Sequence, residues 1–152
     1  AIRKVEFKSS GVSTLKPRKI WFDDAVQRLN VDARGELLGE FRAEDKILIA
    51  TQSGKIKAVT PELQMHFDDD LIVLEKWTPK KPISAIYYDG EKERYYVKRF
   101  LIEQEGKEES FISNHSNSQL EIVSIRSKEQ FLFISSLLLS IFNLIVIDFV
   151  SG

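Results

Sequence analysis

Lys46-Ile47-Leu48-Ile49-Ala50-Thr51, then Gln52-Ser53-Gly54, then Lys55-Ile56-Lys57-Ala58-Val59: residues 46–59 decide the fold of this chain. A continuous apolar run meets a short polar turn and returns as a strict alternation of lysine and apolar residues, the pattern of a β-hairpin with one solvated face. Gly54 is placed to supply the positive φ that a tight hairpin needs. Two further segments repeat the design. Upstream, Lys19-Ile20-Trp21-Phe22 passes through Asp23-Asp24-Ala25 into Arg28-Leu29-Asn30-Val31. Downstream, Ile83 to Tyr88 turns at Asp89-Gly90-Glu91-Lys92 into Arg94-Tyr95-Tyr96-Val97-Lys98-Arg99-Phe100. Asp-Gly between aromatic and β-branched runs is a hairpin signal.

Short strands are expected as lead-ins to these hairpins: Leu37-Leu38-Gly39-Glu40-Phe41 before the second, Leu71 to Trp77 before the third, and Leu120-Glu121-Ile122-Val123 after it. The turn glycines Gly54 and Gly90 stand 36 residues apart, with the first unit closer, so the period is loose. Units of about four strands repeated in this way predict an all-β, propeller-like array whose blades cover one another's edges.

A chain of 152 residues suits one compact core, and the absence of cysteine excludes disulfides, zinc-thiolate sites and thiol nucleophiles. It opens at Ala1 without an initiator Met or a secretion-signal pattern, and is therefore expected to be an excerpt of something longer. The net charge of −1 conceals a segregated pattern. Residues 1–59 hold 12 Lys/Arg against 8 Asp/Glu, residues 60–75 hold 5 acids and no Lys or Arg, residues 76–99 hold 7 bases against 3 acids, and residues 100–113 are acidic again. If the basic stretches fold onto one rim and the acidic ones onto another, a near-neutral protein can still present a positive stripe to a polyanion.

Chemistry finds little purchase. His66, beside Asp68-Asp69-Asp70, lacks the alternating ligands, central Gly and terminal Glu of a calcium loop, and a solvated acidic turn is the better reading. His115 lies in the polar run Asn114-His115-Ser116-Asn117-Ser118, an expected surface loop, and neither a nucleophile elbow nor a phosphate-cradling glycine motif occurs. No catalytic residue, metal or cofactor is therefore assigned. Tyr87-Tyr88 and Tyr95-Tyr96 are read as cross-strand packing in preference to base stacking. In the second strands, Arg28, Lys55, Lys57 and Lys98 alternate with Leu29, Ile56 and Val97, which directs the bases to an exposed face; Arg99 departs from the alternation. Gln130 to Ile147, 18 residues without charge, breaks the pattern and is open to three readings: an unrelated tail after a disruption near Ile125, a membrane anchor, or a buried strand pair.

Ile2-Arg3-Lys4-Val5-Glu6, Gly11-Val12-Ser13-Thr14-Leu15 and Arg18-Lys19-Ile20-Trp21-Phe22-Asp23 with Gln27-Arg28-Leu29-Asn30 resemble the C-terminal region of the A subunit of bacterial type II DNA topoisomerases. The similarity is nearest to the topoisomerase IV-like A subunits of Bacteroides relatives. It continues through Gly35 to Phe41, Asp45 to Ile49, His66-Phe67-Asp68 and Tyr95 to Phe100, covering roughly residues 1–123.

The resemblance implies a partial β-pinwheel of four-stranded antiparallel blades over residues 1–125, about three in number, followed by an apolar tail over 126–152. It also implies duplex DNA as partner, bound or bent by a basic outer rim to support strand passage, supercoil relaxation and decatenation. In the parent enzyme, a B subunit and a second A subunit would be partners, with the cleaving tyrosine and its helper arginine upstream and the ATPase and magnesium sites on the B subunit. No small-molecule substrate is implied, and the location would be the cytoplasm, at the nucleoid, unless the tail reaches a membrane. The Gln-Arg-Arg-Gly-Gly-Lys-Gly box of gyrase A subunits is missing, which favours a topoisomerase IV-like role. Basic positions inside matching stretches carry over as DNA contacts: Arg3, Lys4, Arg18, Lys19, Arg28, Arg34, Lys98 and Arg99; Lys55 and Lys57 join them on alternation alone. Ala33 stands where relatives commonly have Gly, which bears on the turn before Arg34. The rival readings are a propeller-like protein-interaction module using the Asp68-Asp69-Asp70 loop, and a membrane-tethered protein.

Overall fold

The computed structural model describes residues 16–110, 112, 115–124 and 145–149. Every regular element among them is a strand: β1 (Arg18–Asp23), β2 (Arg28–Asn30), β3 (Glu36–Phe41), β4 (Ile47–Thr51), β5 (Lys55–Val59), β6 (Leu71–Lys76), β7 (Ile83–Asp89), β8 (Arg94–Phe100), β9 (Glu109–Ser110), β10 (Gln119–Ser124) and β11 (Ile145–Phe149). They form three sheets, ordered β2-β1-β3, β6-β4-β5-β9 and β10-β7-β8-β11. None of the sheets closes on itself, and the fold is that of a partial β-pinwheel.

The three hairpins lie where the alternation places them, but the lead-in strands belong elsewhere. β3 pairs antiparallel with β1, β6 with β4 and β10 with β7, so each closes the hairpin behind it instead of opening the next. In the first two blades the connection from the second strand to the third is 5 and 11 residues long, which brings the third strand back to the free edge of the first before the chain leaves for a new blade; in the third blade the chain visits β5 before it returns as β10. The fourth strands come from further away. β9 adds to the outer edge of β5 after the chain has completed β8, and β11 adds to β8. Two differences from uniform four-stranded antiparallel blades follow. The first sheet has three strands among the described residues, and β11 runs parallel to β8. Part of the apolar tail therefore supplies a sheet edge, which a parallel pairing permits because a long crossover precedes it.

Sheet packing explains the uninterrupted apolar run of β4. All five of its residues are buried, because both of its faces are covered. Leu48 and Ala50 join Ile56 and Ala58 of β5, Trp77, and Ile83, Ala85, Phe100 and Ile102 of the third blade in one core. Ile47 and Ile49 point the other way, into a second core with Ile20, Leu29 and Phe41 of the first blade. The middle sheet is thus the filling between the outer two. Each fully buried Ile or Leu contributes roughly 1.5–3 kcal/mol, so these two layers outweigh any surface ion pair.

Two glycines serve the turns in different ways. Gly54 has φ +87°, and a Cβ there would run into the Ile112 side chain, so the hairpin tip is both left-handed and closely covered. Gly90 does not take a positive φ; in that loop the left-handed residue is Glu93, at φ 53°. Gly90 instead leaves room for the His115–Ser118 turn, its N–H donating to Ser118 Oγ at 2.8 Å, while Asp89 Oδ1 accepts from the N–H of Glu91 and Lys92 at 3.0 and 3.1 Å.

Candidate nucleic-acid interface

The second strands of the blades, β2, β5 and β8, occupy the same topological place, beside the first strand and away from the third. The third strands of the first two blades meet across the interface. There Lys76 of β6 donates to the Glu40 carbonyl of β3 at 2.6 Å and lies 2.8 Å from Asp45 Oδ2. The Arg42 backbone N–H and, after it, Lys76 hold the Asp45 carboxyl below its usual pKa. In both of those sheets the first strand separates the second strand from this junction. The chain leaving β8 at Phe100 reaches the edge of β5 by Glu109, which ties the third blade to the second-strand edge of the middle sheet.

Of the basic residues singled out by sequence, Arg18, Lys19, Arg28 and Arg34 on the first blade are exposed, as is Lys55 on the second, while Lys57 and Lys98 are half-buried. Lys98 shares its sheet face with the core residues Ala85 and Phe100, and its Nζ lies 5.5 Å from the Phe100 ring centroid, so it is half-buried on the core side of β8 and not on the exposed face that alternation assigned to it. Arg99 is different. It is buried, and its Nη1 donates to Ser84 Oγ of the neighbouring strand at 3.1 Å, so it is not displayed with the others. Burial favours holding an Arg inside by hydrogen bonds over offering it to a ligand. Arg3 and Lys4 lie outside the described residues.

Arg34 is fixed by the turn after β2. Asn30 is buried there, its Nδ2 donating to the Arg34 carbonyl at 2.8 Å and its Oδ1 accepting from the N–H of Asp32 and Arg34 at 3.1 and 3.0 Å. Ala33 sits inside this loop at φ 59°, in the left-handed region that Gly occupies without strain. Replacing Ala33 with Gly is expected to raise stability by up to about 1 kcal/mol, offset in part by the greater freedom of Gly when unfolded. A thermal melt that drops on this change would show that the loop does not bear this strain.

Lys55 and Lys57 are engaged by a residue that sequence reasoning placed apart from them. Glu108 lies with Oε1 3.5 Å from Lys55 Nζ and Oε2 3.4 Å from Lys57 Nζ. These three side chains line a pocket with Ile49, Thr51, His66, Phe67 and Asp68. The expected separation of acidic and basic stretches onto different rims therefore fails here. The cause is the pairing of β9 with β5, a contact between segments some 50 residues apart that no local charge count can anticipate. The acidic triplet is also divided. Asp70 Oδ2 accepts from the Ser53 N–H at 3.0 Å, tying it to the hairpin tip, while Asp68 and Asp69 are exposed. The paired tyrosines pack across β7 and β8, Tyr87 stacking on Tyr96 at 5.5 Å and Tyr88 tilted on Tyr95 at 5.0 Å. Among the described residues, no group of His, Asp and Glu is arranged to hold a metal, and no helix is long and apolar enough to cross a membrane.

Residues 28–136 match the topoisomerase C-terminal domain of Bacteroidota. The chain belongs to that family. No curated protein and no solved structure matches it. The topoisomerase C-terminal domain extends in this match beyond Ile125 and into the apolar run, taking in the strands from β2 to β10. The residue that sequence reasoning missed is Glu108; the one available signal was the reversal of sign at residues 100–113, which points to a partner of opposite charge without saying which.

Proposed function

We propose that this topoisomerase C-terminal domain is the non-catalytic, duplex-DNA-binding part of a type II topoisomerase A subunit. The observation that supports the reading is that Arg28, Lys55 and Lys57 lie on topologically equivalent second strands of adjacent blades, separated by the first strand from the Lys76 junction. Arg18, Lys19 and Arg34 extend the positive surface on the first blade. Ammonium and guanidinium groups on strand faces meet the phosphate backbone without reading bases, so they position a duplex irrespective of its sequence. Such a surface supports strand passage, relaxation and decatenation by holding or bending a DNA segment near the cleavage centre. The cleavage chemistry is assigned to an upstream region of the A subunit and the ATPase to the B subunit, with a second A subunit as a further partner, and the working location to the nucleoid.

The reading is tested by fluorescence anisotropy with two unrelated duplexes at several salt concentrations. With on the order of four phosphates neutralised, log K is expected to fall against log salt with a slope near −3.6, the same for both duplexes. Binding that ignores salt, or that distinguishes the duplexes by more than a few-fold, would count against a phosphate-reading rim.

A further inference from the structure

One carboxylate bridged by two lysines maps a seat for a single anionic group. Lys55 and Lys57 alternate with the buried Ile56, so both side chains leave β5 on the same face, and their Nζ atoms converge on Glu108 at 3.5 and 3.4 Å. Two ammonium groups that approach the two oxygens of one carboxylate can equally approach two non-bridging oxygens of one phosphodiester. The pocket adds Thr51 and His66 as polar neighbours, and Asp68 as a second carboxylate. All three members of the bridge remain open to solvent, with side-chain exposures of 50% for Lys55, 34% for Lys57 and 43% for Glu108.

The backbone around Glu108 is fastened on both sides. Gly106 N–H donates to the Ala58 carbonyl at 2.8 Å, Ser110 and Glu109 pair with Lys55 and Ile56, and Ile112 covers Gly54. Glu108 is therefore held against the lysines by the sheet itself, whereas its side chain is free to turn away. Release of the two ammonium groups needs only a side-chain rotation, with no strand leaving the sheet.

We propose that Lys55 and Lys57 form one phosphate seat for a backbone phosphodiester of duplex DNA, and that Glu108 occupies this seat in the free protein and must be displaced when DNA binds. This rests on the DNA-binding reading above and adds to it an internal competitor that lowers the affinity of the middle blade. Removing the competitor strengthens binding; removing the lysines makes the competitor irrelevant.

The test uses the full chain and a duplex in the same anisotropy titration, comparing wild type with Glu108→Gln, Lys55→Gln/Lys57→Gln, and all three changes together. Glu105→Gln controls for the loss of one negative charge from the same acidic segment. Glu108→Gln is expected to tighten binding roughly 3- to 10-fold near 0.1 M salt and to change the salt slope by less than about 1, because the same two lysines meet phosphates in both complexes. Glu105→Gln is expected to change affinity less than about 2-fold, because the charge it removes lies in solvent and is screened. In the lysine-free background, Glu108→Gln is expected to have no more effect than Glu105→Gln. Equal effects of Glu108→Gln and Glu105→Gln in the wild-type background, with salt-dependent binding intact, overturn the seat while leaving the DNA-binding reading in place. Absence of duplex binding by every variant, each with the wild-type melting temperature, overturns both.

Discussion

Replacing Arg28, Lys55 and Lys57 together by glutamine is expected to weaken duplex binding by about two orders of magnitude near 0.1 M salt and to flatten the salt slope by up to about 2.7. The three residues lie on the second strands of neighbouring blades, and the expectation rests on the proposal that one duplex spans those strands. Glutamine is preferred to glutamate because Glu108 stands within 3.5 Å of both lysines, and a reversed charge there would set like charges against each other and disturb the sheet edge. The loss is expected to be the same for unrelated duplexes, since phosphate contacts carry no sequence information. Neutralising Glu103 and Glu105 is expected not to weaken binding. Wild-type affinity and slope in the triple variant would move the rim to another face, and the exposed Arg18, Lys19 and Arg34 of the first blade would be the next surface to test.

Leu48→Ala is expected to produce the largest loss of stability. Leu48 is fully buried on an inner strand of the middle sheet, in one core with Ile56, Ala58, Trp77 and Phe100, so its removal leaves a cavity between the middle and third blades. A buried Leu→Ala change costs about 2–5 kcal/mol, a large part of the roughly 5–15 kcal/mol that holds a domain together. A fall in melting temperature on the order of 10 °C follows for a chain of this size. Leu37→Ala provides the contrast. Leu37 is 49% exposed on β3, and its truncation is expected to stay within about 0.5 kcal/mol. Calorimetry or thermal circular dichroism on both variants checks the ordering; a loss at Leu37 equal to that at Leu48 would show that the face of the first blade is covered as fully as the core.

The same two residues show what was legible in the chain. Leu48 sits in an apolar run that the sequence marks as the first strand of a hairpin, and the return into Lys55 and Lys57 follows from Gly54 and the lysine-apolar alternation; that both faces of the run are covered is seen only in the structure. Arg99 already broke that alternation, and it proves to be buried against Ser84. Local pattern was thus sufficient wherever the deciding interaction lies within a few residues. It failed for the lead-in strands, because a short strand between two hairpins fits the edge of either, and only the closure of the chain selects β1, β4 and β7 as their partners.

By itself the sequence determined the all-β class, the three hairpins, the left-handed turn at Gly54 and the alternation that puts Lys55 and Lys57 on one face of their strand. Those features depend on side-chain period and backbone sterics, which are properties of neighbouring residues. Tertiary structure alone decided that β9 returns to β5, that Glu108 thereby comes to lie between the two lysines, and that β11 joins the last sheet. Pairing at a sheet edge is set by backbone hydrogen bonds that any residue except proline can make, so the side chains do not specify which distant strand will fill it. The charge state of the rim is decided at that edge.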